Sequence, residues 1–89
     1  LSLELTEKVT VEEINSAFIN NASETLVTTT DPIVSSDVIG TTCGALADLS
    51  LTKVVEHDGK QMVKVISWYD NEMGYSAQMV RTAKKLLSL

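Results

Sequence analysis

The 89-residue sequence holds one cysteine, one histidine and four aromatic residues, and nowhere a long apolar run. Each shortage excludes something. A single cysteine, Cys43, rules out an internal disulfide framework and a cysteine-rich zinc site. One histidine and one cysteine cannot assemble a metal centre, and the acids are not spaced as in a calcium loop. No stretch approaches the ~20 apolar residues that cross a bilayer as a helix. The first residues carry no basic cluster ahead of an apolar run, so they do not read as a secretory leader. Glycines stand only at 40, 44, 59 and 74, which is no phosphate-cradling pattern. Basic residues are also scarce: 7 against 12 acids give a net charge of −5, which argues against a phosphate-binding, nucleic-acid surface. A reducing, cytoplasmic setting is the expectation.

What is present describes one small globular unit or a piece of a larger one. Apolar residues make up 44% of the chain, a globular proportion, and a chain this short has no room for two domains with a cofactor site between them. The charge is uneven. Residues 1–40 carry seven acids and one base, whereas 79–89 carry Arg81, Lys84 and Lys85 and no acid. Cations at that end suit the last turn of a helix, where the backbone dipole is negative. The chain opens on Leu1-Ser2-Leu3-Glu4-Leu5, a period-two pattern that predicts a half-buried strand. An element at the very first residue leads us to expect a fragment or a processed product.

Thr10-Val11-Glu12-Glu13 has the form of a capping box, and Ile14, Ala17, Phe18 and Ala22 follow at helical spacing. They predict a helix over 11–22, with Glu12, Asn15 and Ile19 on its wetter side. Strands are expected at 26–30, at 33–38 and within 45–56. Asp58-Gly59, between Val54–Glu56 and Met62–Tyr69, predicts a two-residue hairpin turn, because that turn needs positive φ at both positions. The return strand is expected to run over 62–69. Met73, Ala77, Val80, Ala83 and Leu87 predict a second helix over 72–87. The fold class is therefore α+β, a mostly antiparallel sheet with two helices.

Candidate chemistry is sparse. Nothing in the sequence brings His57, beside the hairpin tip, to Cys43, so neither is assigned a catalytic role. The unusual segment is Ser67-Trp68-Tyr69-Asp70-Asn71-Glu72-Met73-Gly74-Tyr75-Ser76, which gathers three of the four aromatics at a strand-to-helix junction. Backbone amides point outward at such a junction. Gly74 inside the first helical turn costs about 1 kcal/mol against alanine, which suggests a close approach by another backbone, a ring or a ligand.

Val65 to Ser76 closely resembles the C-terminal signature of the glyceraldehyde-3-phosphate dehydrogenase family, which usually has tryptophan or phenylalanine where this chain has Met73. Val9-Thr10-Val11-Glu12-Glu13-Ile14-Asn15 is similar to the start of that family's catalytic-domain helix, and Val34-Ser35-Ser36-Asp37 to its V-S-S-D segment. The resemblance spans essentially the whole chain. It implies the latter part of the catalytic domain over 1–71, and over 72–89 a terminal helix that would pack on a dinucleotide-binding domain. It implies a parent enzyme, a homotetramer of glycolysis, that acts on a phosphorylated aldehyde and phosphate with NAD. NADP stays open, because residues near the adenosine ribose are not in this chain. The family's S-C-T-T-N motif is absent, so no catalytic residue is assigned and the chain alone is expected to be inactive. Asn71 resembles the family asparagine that hydrogen-bonds the nicotinamide carboxamide, and Tyr75 the tyrosine close to the nicotinamide; both are cofactor-binding candidates. No metal, membrane or nucleic-acid partner is implied. Two other readings stay open: a relative acting on erythrose 4-phosphate, and a non-catalytic interaction or assembly module.

Overall fold

The computed structural model describes all 89 residues, Leu1–Leu89. In chain order the elements are β1 (Ser2–Glu4), α1 (Val11–Asn20), β2 (Leu26–Thr29), a 3-10 turn at Ser35–Val38, β3 (Ala45–Asp48), a second 3-10 turn at Leu49–Leu51, β4 (Lys53–His57), β5 (Lys60–Lys64), β6 (Ser67–Trp68) and α2 (Met73–Leu87). The α+β class holds, but the strands divide into two three-stranded sheets. One is antiparallel with order β1-β5-β4, and the other is mixed with order β2-β3-β6. In the mixed sheet β2 runs parallel to β3, Leu26 opposite Ala45, while β6 is antiparallel to β3.

One long bent hairpin feeds both sheets. At its tip Asp58 and Gly59 have φ of 51° and 74°, the double positive φ expected of the turn. Beyond the tip His57 pairs with Lys60, and Lys53 with Lys64. Further along, Leu46 pairs with Trp68, so the first arm has gained three residues on the second. The 3-10 turn Leu49–Leu51 takes up that difference. On the second arm the chain leaves the first sheet after Lys64 and joins the other at Ser67. The expected continuous strand over 62–69 is thus two short strands. Val65 and Ile66 at the corner still hold both sides: Val65 N–H donates to Leu1 O, and Ile66 O accepts from Asp48 N–H.

The antiparallel sheet packs on α1. Ile14, Val63 and Val65 form the buried cluster, and Val9, Phe18 and Val54 lean on it. β1 adds to the sheet through Leu3 opposite Val63. Thr10 caps α1, its Oγ1 accepting from Glu13 N–H at 3.1 Å. The Glu13 carboxylate meets the Thr10 hydroxyl, 3.3 Å away, rather than the Thr10 amide. The helix stops two residues short of expectation, and Asn21 and Ala22 turn back onto Phe18 and Ile19 carbonyls. Asn15, expected on the wetter side, is half-buried and donates to Leu49 O at 3.2 Å, fastening α1 to the bend of the hairpin. Ala17, expected inward, is exposed.

The expected strand over 33–38 is instead a loop with a 3-10 turn. Asp37 is the reason: its carboxylate accepts from Val34 N–H at 2.8 Å, a local bond that competes with extended pairing. No helix is long and apolar enough to cross a membrane.

Candidate functional site

The strand-to-helix junction is built around Asp70. Its Oδ1 accepts from the amides of Glu72 and Met73, at 2.8 and 2.9 Å, and so caps α2 from three residues ahead of the first regular turn. Its carbonyl accepts from Gly74 N–H. Its Oδ2 accepts from Gly40 N–H at 2.8 Å, across thirty residues of sequence. Three amides on one carboxylate favour the charged form. The Gly40 amide is the largest cause, then Met73 and Glu72, and together they hold the Asp70 carboxyl below the usual carboxylate range. Gly40 itself has φ of 87°, a conformation that side chains rarely adopt.

Gly74 sits against the backbone of the 41–44 loop. A β-carbon there would stand 2.7 Å from Cys43 O, so the close approach that the sequence suggested is made by another backbone. Arg81 adds a second tie one face further along α2, donating to Thr42 O at 2.6 Å. Its Nε lies 3.5 Å from Glu24.

Between these walls lies an open cleft of about 710 Å³. Ser35, Ser36 and Gly40 line one side, and Tyr69, Asn71 and Met73 the other. Asn71 is exposed on its wall, and Asp70 rather than Asn71 makes the capping bonds. No intrachain hydrogen bond engages the Asn71 amide. The two cofactor-binding candidates are not brought into one cavity. Tyr75, 64% exposed, lies a turn further along α2 and lines a separate shallow groove with Gln78, Met79 and Leu86.

Behind the cleft is a polar knot that the sequence reading did not single out. Asp48 is buried, and its Oδ1 accepts from Ser50 Oγ at 2.6 Å while its Oδ2 accepts from Trp68 Nε1 at 3.1 Å. The Ser50 hydroxyl is the main cause that lowers its pKa; burial opposes it, and the Trp68 indole adds to the lowering. The knot fixes β6, three residues ahead of Asn71, to β3. A buried aspartate at a strand end carries no period or spacing of its own, so only its partner across the sheet reveals it.

Cys43 is buried, and its carbonyl oxygen lies against Gly74 at the start of α2. His57 is at the far hairpin tip, 3.3 Å from Asp58 and almost wholly exposed. The structure does not bring the two together, and no three His, Cys, Asp or Glu side chains converge as metal ligands.

Residues 1–71 match the family model for the glyceraldehyde 3-phosphate dehydrogenase C-terminal domain. Among curated proteins, the chain is 54% identical over 82 residues to the glyceraldehyde-3-phosphate dehydrogenase of Streptococcus pyogenes, a match that covers 92% of this chain and 24% of that protein. It is 55% identical over 78 residues to the protein of the same name from Clostridium pasteurianum, covering 88% of this chain and 23% of that one. The chain thus spans about a quarter of the length of the curated relatives it matches.

Proposed function

The chain belongs to the glyceraldehyde-3-phosphate dehydrogenase family, and from that membership we propose that it supplies the nicotinamide-facing corner of an NAD-dependent, phosphorylating aldehyde dehydrogenase. One observation carries the reading. Asn71 stands exposed on the wall of the cleft while its neighbour Asp70 does the structural work of the corner. An amide kept out of the fold's own hydrogen bonds is available to a ligand.

The residues present fit the cofactor's reactive end. A carboxamide needs one donor and one acceptor opposite it, and the Asn71 side chain offers both. When bound, NAD would supply the hydride acceptor for oxidation of the aldehyde carbon. Asn71 holds the carboxamide and thereby decides which ring face is presented, a contribution of orientation rather than of proton or electron transfer. Tyr75, within the first turn of α2 and lining a separate groove, is the second cofactor-binding candidate, matched to the family tyrosine close to the nicotinamide. Residues 72–89 form the helix that docks on a dinucleotide-binding domain, and 1–71 belong to the catalytic domain. The nucleophile, the base and the phosphate-binding groups come from outside these 89 residues, so the chain alone reduces no NAD. The whole enzyme is a cytoplasmic homotetramer of glycolysis that takes a phosphorylated aldehyde and inorganic phosphate.

The test is Asn71→Ala in the full-length enzyme, with melting temperature and single-turnover hydride transfer measured on the same sample. The expected outcome is an unchanged melting temperature, cofactor affinity weakened by about 0.5–1.5 kcal/mol per lost hydrogen bond, and a transfer rate that falls at least as much. A destabilised variant with the wild-type transfer rate would reduce Asn71 to a residue of the corner.

A further inference from the structure

The cleft has two walls from distant parts of the sequence, and one carboxylate joins them. The 35–40 loop forms one wall; Tyr69–Met73 forms the other. The 35–40 loop is lightly held. Val38 is its buried anchor, while Val34 and Ile39 are 58% and 77% exposed. Its own bonds are local: Asp37 to Val34, and Thr41 back to Val38. The bond that reaches across to the Asn71 wall is Gly40 N–H to Asp70 Oδ2. The other oxygen of that carboxylate accepts from the amides of Glu72 and Met73, the two residues that follow Asn71.

We propose that Asp70 is a positioning residue for the cofactor site: its two carboxylate oxygens set the separation of the cleft walls and the orientation of Asn71. The inference rests on the reading of Asn71 as a cofactor-binding residue. The division of labour is specific. Oδ1 builds the helix start, and Oδ2 straps the opposite loop to it. A neutral isostere cannot hold both bonds, because an asparagine has one acceptor oxygen and sets its NH2 donor against the amides on the other side, and a serine hydroxyl is too short to span them. The cap can be replaced, because asparagine and serine both cap helices well. The two functions of one side chain are therefore separable by substitution.

The experiment compares Asp70→Asn and Asp70→Ser with Asn71→Ala and with the double variant Asp70→Asn/Asn71→Ala, all in the full-length enzyme. Three readouts are taken: hydrogen exchange at the Gly40 amide without cofactor, NAD affinity by titration, and single-turnover hydride transfer. Both position-70 variants should keep α2 capped and raise the Gly40 exchange rate. They should lower the transfer rate by about tenfold to 10²-fold, since small misplacements at a reacting centre are costly. Their NAD affinity should fall much less. The double variant should be scarcely slower than Asn71→Ala, because Asp70 acts through Asn71. A Gly40 amide that stays protected in both position-70 variants overturns the strap. Faster exchange with unchanged transfer, while Asn71→Ala is impaired, overturns the positioning role and leaves the Asn71 reading standing. Wild-type transfer in Asn71→Ala removes the premise instead. If Asp70→Asn does not fold, Asp70→Ser carries the same comparison.

Discussion

The two ends of this molecule are held together by different physics. The antiparallel sheet and α1 share an apolar cluster of Ile14, Val63 and Val65, with Val63 only 1% exposed. The mixed sheet and α2 meet through polar and backbone contacts: Asp70 to Gly40, Arg81 to Thr42, and Gly74 against Cys43 O. Helix α2 keeps its apolar side chains outside. Met73, Met79, Val80 and Leu87 are all about half exposed or more. α1 therefore behaves as a helix that has found its core, and α2 as a helix docked by its small and polar face. An apolar stripe left in water marks a surface meant for something else, in keeping with the proposed docking on a dinucleotide-binding domain.

The largest effect should come from the apolar end. Ile14→Ala removes the helix's contribution to the buried cluster and should destabilise the chain by about 2–5 kcal/mol. Urea unfolding followed by circular dichroism would show it as a lower midpoint. A loss well below that range would mean that the cluster is not the chief support of the first sheet.

At the polar end, Gly74→Ala drives a β-carbon into the Cys43 carbonyl, and backbone cannot yield as a side chain does. The expected cost is about 1–3 kcal/mol, paid locally: hydrogen exchange should quicken along α2 and leave the 53–64 hairpin amides protected. Equal loss of protection in both regions would show that the ends unfold as one unit and would dissolve the contrast between them.

Acid should attack the same end first. Asp48 and Asp70 are both held below their ordinary range, by Ser50 and Gly40 first of all. Unfolding returns them to about 3.9, so the unfolded chain binds more protons than the folded one. The stability they contribute is complete above that value and drains as pH falls through the lower folded values. Trp68 is the chain's one tryptophan and donates to Asp48, so its fluorescence should respond on acidification before the helical signal of α1 is lost. Asp48→Asn should weaken that pH dependence. If tryptophan and α1 signals change together, the acid step is not confined to this end.

The smallest effect on folding should follow from Leu87→Lys, 88% exposed at the end of α2. Stability should stay within about 0.5 kcal/mol; the exposed stripe leads us to expect that the isolated chain self-associates in sedimentation, and the lysine should diminish that association. Unchanged association would exonerate the α2 stripe and turn attention to the unpaired edges of β1 and β4.

Where local chemistry decides, the sequence was readable. Asp58-Gly59 specified the hairpin tip because few residue pairs accept positive φ twice, and Thr10 with Glu13 specified the start of α1. Gly74 announced a close approach because a helix tolerates glycine only at a cost. Asn71 lines the cleft and Tyr75 does not. Asn71 stands in the turn ahead of α2 and Tyr75 within the helix, so their spacing of four does not put them on one helical face. The 33–38 segment misled because its apolar residues suited a strand, whereas Asp37 bonded its own backbone first.

By itself, then, the sequence determined the class of each strong element, the capped start of α1, the tight turn and the family resemblance of the 65–76 segment, since all of these depend on side chains within a few residues of one another. Only the tertiary structure decided that one hairpin bends at Leu49–Leu51 to serve two sheets, that Asp48 meets Trp68, and that Asp70 reaches Gly40. Such contacts join residues twenty or thirty positions apart. Their energies depend on burial and on donor geometry that no local pattern encodes, so the cleft and the carboxylate that spans it exist only once the chain has folded.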